Sequence, residues 1–171
     1  PKIAEYIVKN FAQYTNIILD PVSAAKAETV KHLIPHLHTF KPNRYEAEIL
    51  CGFPLDNEES IREAGRYFIA QGLKNVFISL DSDGIYYFDG EKEGTVRVIN
   101  PKVVNVTGAG DAFVAGIGYG YMNGKSMKDT VKFANTMSVL TIAHEETIAP
   151  EMSEEAVLHH REQLVWVEKS Y

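Results

Sequence analysis

The sequence predicts an α/β fold on a mostly parallel sheet, and three observations carry that prediction. Short apolar runs such as Asn16-Ile-Ile-Leu-Asp20 and Asn75-Val-Phe-Ile-Ser-Leu80 have the length and unbroken hydrophobicity of strands buried on both faces. Segments of helical periodicity alternate with them, the order that lays helices against a parallel sheet. Polar residues fall directly after the strands, where open parallel sheets gather their ligands.

Taken in order, Lys2 to Phe11 reads as an amphipathic helix, and Asn16 to Asp20 reads as a strand that Pro21 turns into a loop. Ser23 to Ile34 has helical spacing, and His38 to Phe40 is a brief strand. Asn43 caps a helix through Leu50, because Glu46 stands three residues later as in a capping box. Asn57 to Gln71 is a helix closed by Gly72. After the strand at Asn75 to Leu80, the runs Gly84 to Phe88 and Thr95 to Ile99 read as antiparallel partners. Three helices are expected to finish the chain, from about Gly110 to Asn123, Met127 to Ala143 and Ser153 to Val167.

With 171 residues and 45% hydrophobic content the chain can bury a core of its own, and its length suits one domain spanning 1–171. A net charge of −6 leaves no basic patch for a phosphate backbone, which excludes nucleic acid as a partner but not a nucleotide. No apolar run is long enough to cross a membrane. The lone Cys51 excludes an internal disulfide framework and suits a reducing cytoplasm. Because the chain starts at Pro1 and enters a helix at once, it is expected to be the interior of a longer protein.

The run Asn105-Val-Thr-Gly-Ala-Gly-Asp111 carries the chemistry. Gly108, Ala109 and Gly110 have almost no side-chain bulk, so their N–H groups can approach an oxyanion at the positive end of a helix. Asp111 then stands where a hydroxyl proton must leave, an arrangement suited to phosphoryl transfer to an alcohol. Asp20, Asn43 with Glu46, and Ser79 to Gly84 also follow strands, so four polar clusters are expected along one rim.

Other patterns invite readings that their context weakens. Gly124-Lys125-Ser126 lacks the glycine that a Walker A motif needs at position 119, which is Tyr119. Gly116, Gly118 and Gly120 do not complete a dinucleotide fingerprint and instead suggest one small-residue face of a helix. Pro35 interrupts the helix between His32, His36 and His38, leaving no zinc set. Asn105-Val-Thr107 is formally a glycosylation sequon, without any sign of secretion.

Together, Lys41-Pro-Asn-Arg-Tyr-Glu46 and Asn105-Val-Thr-Gly-Ala-Gly-Asp111 resemble the C-terminal portion of the ribokinase-like, or PfkB, carbohydrate kinases, over essentially the whole chain. The resemblance implies a three-layer α/β/α fold whose N-terminal half and lid lie outside this chain. It implies Asp111 as catalytic base and Gly108, Ala109 and Gly110 as anion hole. It also implies ATP and Mg²⁺, with Asn43 and Glu46 positioning the metal and phosphates largely through water, and Glu46 as the residue directed to the metal. Asp20 is expected near the triphosphate, Ser79 and Gly84 along the nucleotide, Asn135 near the adenine, and Thr107 among the cofactor-binding residues.

The strings Lys41 to Glu48, Phe77 to Leu80, Asp83 to Tyr87 and His144 to Ile148 are most similar to a branch that phosphorylates the ribosyl 5′-hydroxyl of pseudouridine. Ribokinase- or fructokinase-like acceptors, or a nucleotide-binding module without catalysis, are the alternatives. The family's turn Leu-Gly-x-x-Gly is Leu80-Asp81-Ser-Asp-Gly84 here, which sets a carboxylate where phosphate would lie. Asn105 replaces the acid that often begins the motif, which weakens a monovalent-cation site there. Without an acceptor site and lid the isolated chain is expected to show little kinase activity, and its uncovered apolar surface to self-associate, as a homodimer or otherwise.

Overall fold

A computed structural model describes residues 2–171. The elements run α1 (Lys2–Phe11), β1 (Ile18–Leu19), α2 (Ala24–Val30), β2 (Thr39–Phe40), α3 (Arg44–Cys51), α4 (Glu58–Ala70), β3 (Asn75–Ser79), β4 (Ile85–Phe88), β5 (Glu93–Val98), α5 (Ala109–Met122), α6 (Met127–Ile142), α7 (Glu154–Gln163) and β6 (Trp166–Ser170). The strand order is β1-β2-β3-β4-β5-β6. β1, β2 and β3 pair in parallel, and β4 lies antiparallel to β3. The α/β class and the parallel core of the sheet are those the sequence predicts.

The chain divides into two compact units, one running to Thr95 and including Ser170 and Tyr171, the other Val96–Lys169. In the first, Phe40, Val76 and Ile78 from the strands pack with Leu50, Ala64 and Phe68 from the helices, all fully buried. Alternate burial of strand residues on both faces explains why these segments read as continuous apolar runs. The start of α3 is a complete capping box: Asn43 Oδ1 accepts the Glu46 N–H at 2.8 Å, and Glu46 Oε2 accepts the Asn43 N–H at 2.9 Å. Asn57 and Ser60 form the same reciprocal pair at α4.

The wheel of α1 is apolar on two faces. Ala4, Val8 and Ala12 join the core, whereas Ile3, Tyr6, Ile7 and Phe11 are exposed, with Ile3 at 77%. Charged residues occupy only a narrow arc, the pattern of a helix covered from both sides.

Three expectations need correction. The helix expected over Ser23–Ile34 is α2 followed by a 3₁₀ segment at Lys31–His36, because Pro35 lacks the N–H that an α-helix would use. The last helix stops at Gln163, Leu164 turns extended, and residues 166–170 form β6 instead of a helical tail. Of the three glycines along α5, Gly116 and Gly120 pack against α6, but Gly118 faces open space. A Cβ on Gly116 would stand 2.4 Å from the Ala134 Cα, and one on Gly120 2.4 Å from the Thr130 hydroxyl.

Gly116→Ala should therefore lower stability by about 1–3 kcal/mol through overpacking, while Gly118→Ala should raise it by about 0.5–1 kcal/mol through helix propensity. Urea denaturation of the two variants side by side checks the pair, and equal effects of like sign would contradict this packing.

Candidate active site

In the first unit the carboxyl ends of β1, β2 and β3 bring three of the predicted clusters to one edge. The Lys41 N–H donates to the Leu19 carbonyl at 3.0 Å, and the Ser79 N–H donates to the Pro42 carbonyl at 3.0 Å, beside a parallel bridge between Asn43 and Ser79. Asp20 follows β1, Lys41, Asn43 and Glu46 follow β2, and Ser79 closes β3. Gly84 joins them through the turn after β3, which is tied to the first residue of α3 by Arg44 Nη2 and Asp83 Oδ2 at 2.5 Å.

The charges at this edge are already partnered. Asp20 Oδ2 meets Lys41 Nζ at 2.9 Å, and Asp20 Oδ1 accepts the Val22 N–H at 2.8 Å. Lys41 is only 7% exposed, a buried ammonium that must be paired to be tolerated. The sequence places Lys41 in a motif but gives no sign of this pairing, which joins residues 21 positions apart.

Glu46 is 2% exposed. Burial pushes its carboxyl above the ordinary glutamate range, with the Asn43 N–H and Lys41 opposing that shift and Asp20 adding to it. One of its oxygens completes the capping box, so its observed role is that of a helix cap.

Among the described residues no group of three or more His, Cys, Asp or Glu is arranged around a metal position. Oxygen donors from one or two carboxylates nevertheless fit Mg²⁺, which keeps several waters and takes its remaining ligands from substrate phosphates. Glu46, with Asn43 beside it, is the residue that would hold such a hydrated ion, largely through water.

The turn before β4 departs from glycine in sequence but not in shape. Asp81 has φ 52°, in the left-handed region, and Gly84 has φ 94° and ψ −141°, a conformation open essentially to glycine alone. The Leu80 N–H donates to the Gly84 carbonyl at 2.8 Å and closes the turn.

The second unit builds Gly108 to Asp111 as the start of α5. Gly108 is the N-cap at φ 85° and supplies no side-chain bond of the kind Ser126 and Ser153 give α6 and α7, and the Ala109 N–H donates to the Val106 carbonyl at a long 3.4 Å. No other residue fits at 108, because a Cβ would stand 2.6 Å from both Thr147 Cγ2 and the Thr147 carbonyl oxygen. Asp111 lies in the first turn of α5 and is exposed.

Ser138 Oγ donates to the Ala109 carbonyl at 2.8 Å, fixing this turn from α6, a contact between residues 29 positions apart that sequence reading missed. Thr107 is exposed, and its N–H donates to Asn105 Oδ1 at 3.0 Å. Asn135 is half-buried on α6.

The set-aside patterns have ordinary roles. His32 pairs with Glu5 at 3.2 Å, and Ser126 of the Gly-Lys-Ser run is the N-cap of α6. Burial pushes the Cys51 thiol up, away from a reactive thiolate. A groove of about 690 Å³ lined by Glu5, Lys9, His32 and His36 contains none of the candidate site residues.

A model of the pfkB family of carbohydrate kinases matches residues 3–154. The pseudouridine kinase of Escherichia coli is 38% identical over 138 residues, which cover 80% of this chain and 44% of that protein. A candidate sugar kinase from Clostridium perfringens, solved by crystallography, is 56% identical, with a TM-score of 0.97 over 100% of this chain and 54% of its own. The ribokinase of Thermotoga maritima shares the fold at 20% identity, with a TM-score of 0.77 over 92% of this chain and 52% of its own. The chain spans about half the length of the relatives it matches.

The raised carboxyl of Glu46 gives a test with a definite sign. Ionising Glu46 costs more in the folded chain than in the unfolded one, so its penalty grows as pH rises from the ordinary carboxylate range and persists at neutrality. Gln keeps a cap acceptor without the charge. Glu46→Gln should unfold at higher urea than the wild type at pH 7, with the difference closing below the ordinary carboxylate range. A Gln variant less stable at pH 7 would contradict this.

Proposed function

The chain belongs to the pfkB family of carbohydrate kinases, and on that premise we propose that the whole protein transfers the terminal phosphoryl group of ATP to an alcohol of a sugar or nucleoside. The observation that carries this reading is the start of α5, where a glycine N-cap leaves helix N–H groups without a side-chain acceptor and Asp111 stands one turn in. Such donors bind the oxygens of a moving phosphoryl group, and a carboxylate takes the proton that the attacking hydroxyl must lose.

In this reading the acceptor hydroxyl gives its proton to Asp111 as its oxygen bonds to the γ-phosphorus. The bond from phosphorus to the β–γ bridging oxygen breaks, and ADP leaves. The N–H groups of Gly108 to Gly110 hold the oxygens of the transferred group throughout. Mg²⁺, when bound, neutralises charge that builds on the phosphate oxygens. Asn43 and Glu46 would hold the hydrated ion and phosphates, largely through water, Asp20 would lie near the triphosphate with Lys41 offsetting its charge, and Thr107, Ser79, Gly84 and Asn135 would border the nucleotide.

Pseudouridine is the acceptor favoured, through its ribosyl 5′-hydroxyl, and the 38% identity to a protein named pseudouridine kinase supports that choice. A reaction that draws on ATP suits the cytoplasm, and among the described residues no helix is long and apolar enough to cross a membrane.

Asp111→Asn in the whole protein should lower turnover by roughly 10²- to 10⁴-fold, the usual contribution of a general base, and leave ATP binding intact. ADP release measured with pseudouridine, ribose and fructose 6-phosphate checks both the base and the acceptor. Turnover near wild type in the variant would sink the base assignment, and MgATP binding without transfer to any acceptor would favour the non-catalytic module.

The 171-residue chain alone is expected to turn over little and to self-associate through the exposed Ile3, Tyr6, Ile7 and Phe11 of α1. Sedimentation should show mass rising with concentration, and Ile3→Glu with Ile7→Glu should abolish the rise. A monomer at all concentrations would refute it.

A further inference from the structure

Asn105 uses both halves of its side-chain amide to bind backbone around the candidate anion hole. Its Oδ1 accepts the Thr107 N–H at 3.0 Å, and its Nδ2 donates to the Glu145 carbonyl at 2.9 Å, across 40 residues of sequence. The main chain beside it runs to the same place, since the Val104 and Asn105 N–H groups both donate to the Ile142 carbonyl, at 2.7 and 3.2 Å. Residues 104–107 are thereby fastened to the end of α6 and the segment that leaves it.

That segment, residues 144–151, is a strap of bends and turns without helix or strand. His144 Nε2 and Glu151 Oε1 meet at 2.5 Å and close its two ends. Ala149, 1% exposed, anchors it in the core, while Ile148 beside it is 72% exposed. Thr147 lies against Gly108 so closely that only a hydrogen fits on the Gly108 Cα.

We propose that Asn105 is a positioning residue that clasps the 144–151 strap onto the turn, so that Thr147 holds Gly108 in its left-handed conformation and aims the first N–H groups of α5. This rests on the reading of Gly108 to Gly110 as the anion hole. Glycine moves freely between positive and negative φ, so its own conformation does not aim the peptide planes that follow it. A neighbour must do so, and the contact with Thr147 is that neighbour.

The clasp requires a donor and an acceptor on one short planar group, which is what an asparagine amide offers. An aspartate keeps the acceptor for Thr107 but turns a negative oxygen toward the Glu145 carbonyl, replacing attraction by repulsion. The His144–Glu151 pair, half-buried at His144 and exposed at Glu151, is a weaker second fastening that shortens the strap at its base.

Hydrogen exchange on the 171-residue chain tests the clasp, and steady-state kinetics on the whole protein tests its consequence. Asn105→Asp should speed amide exchange at residues 107–110 and 145–148 by roughly tenfold, with exchange in β3 and α4 unchanged. In the whole protein the same variant should lower kcat by roughly tenfold with KM for MgATP within twofold. Glu151→Gln should speed exchange at the same amides by a smaller factor, and exchanging the charges with His144→Glu and Glu151→Arg should restore protection.

Unchanged exchange at 107–110 in Asn105→Asp overturns the clasp. Faster exchange with kcat intact overturns its positioning role. A wild-type whole protein that transfers no phosphoryl group overturns the kinase reading and the catalytic consequence with it, whereas the exchange data still decide whether Asn105 holds the strap.

Discussion

Backbone N–H groups at a helix start need an acceptor, and how each helix meets that need organises this molecule. Asn43, Asn57, Ser126 and Ser153 give α3, α4, α6 and α7 a side-chain oxygen. Ser23 at α2 makes no such bond, and at α5 the residue in that place is Gly108, which has no side chain to give, so that only the Val106 carbonyl, 3.4 Å from the Ala109 N–H, serves the first residue of the helix. The difference is imposed by packing, because Thr147 occupies the space a side chain would take. Below that start, Gly116 and Gly120 let α5 sit directly on α6, so the helix whose first turn is left uncapped is also held close along its length. A helix start without a side-chain cap, held rigidly by its packing, has the form that the proposed oxyanion binding would require.

The first unit handles charge in the opposite way. Its carboxylates at Asp20 and Glu46 are half-buried and buried respectively, and each is committed to a partner inside the protein. Burying an ammonium and a carboxylate together rarely stabilises a fold more than apolar side chains of the same size would. Glu46 is held above its ordinary range by that burial, so the fold would lose little by exchanging it for a neutral cap.

Local chemistry was legible in the sequence and distant pairing was not. The bounds of α1, the capping box at α3 and the start of α4 depend on residues within a turn of each other, and they read directly from Asn43, Glu46 and Asn57, whereas the Asn57–Ser60 box was seen only in the structure. The strand-end positions of Asp20 and Ser79 followed from where apolar runs stop. By contrast, the pairs Asp20–Lys41, Ala109–Ser138 and Asn105–Glu145 join residues brought together only by the fold. β6 was missed because Val165, Trp166 and Val167 follow a helical pattern without a proline or glycine to stop it. The β-branched and aromatic character of that run was the available signal.

Asp81 shows how a departure in sequence can leave geometry intact. A glycine-like turn with an aspartate in it would be expected to relax toward negative φ, yet Asp81 keeps φ 52°. Two neighbours hold it there: the hydrogen bond from Leu80 to Gly84 across the turn, and the ion pair that fixes Asp83 to Arg44 at the head of α3. Aspartate tolerates this region better than most side chains, so the strain is modest. What the substitution changes is charge. The Asp81 side chain is exposed, where water screens its field and rotation can carry the carboxylate away from the turn. The turn thus keeps its backbone shape, and what the aspartate alters there is electrostatic.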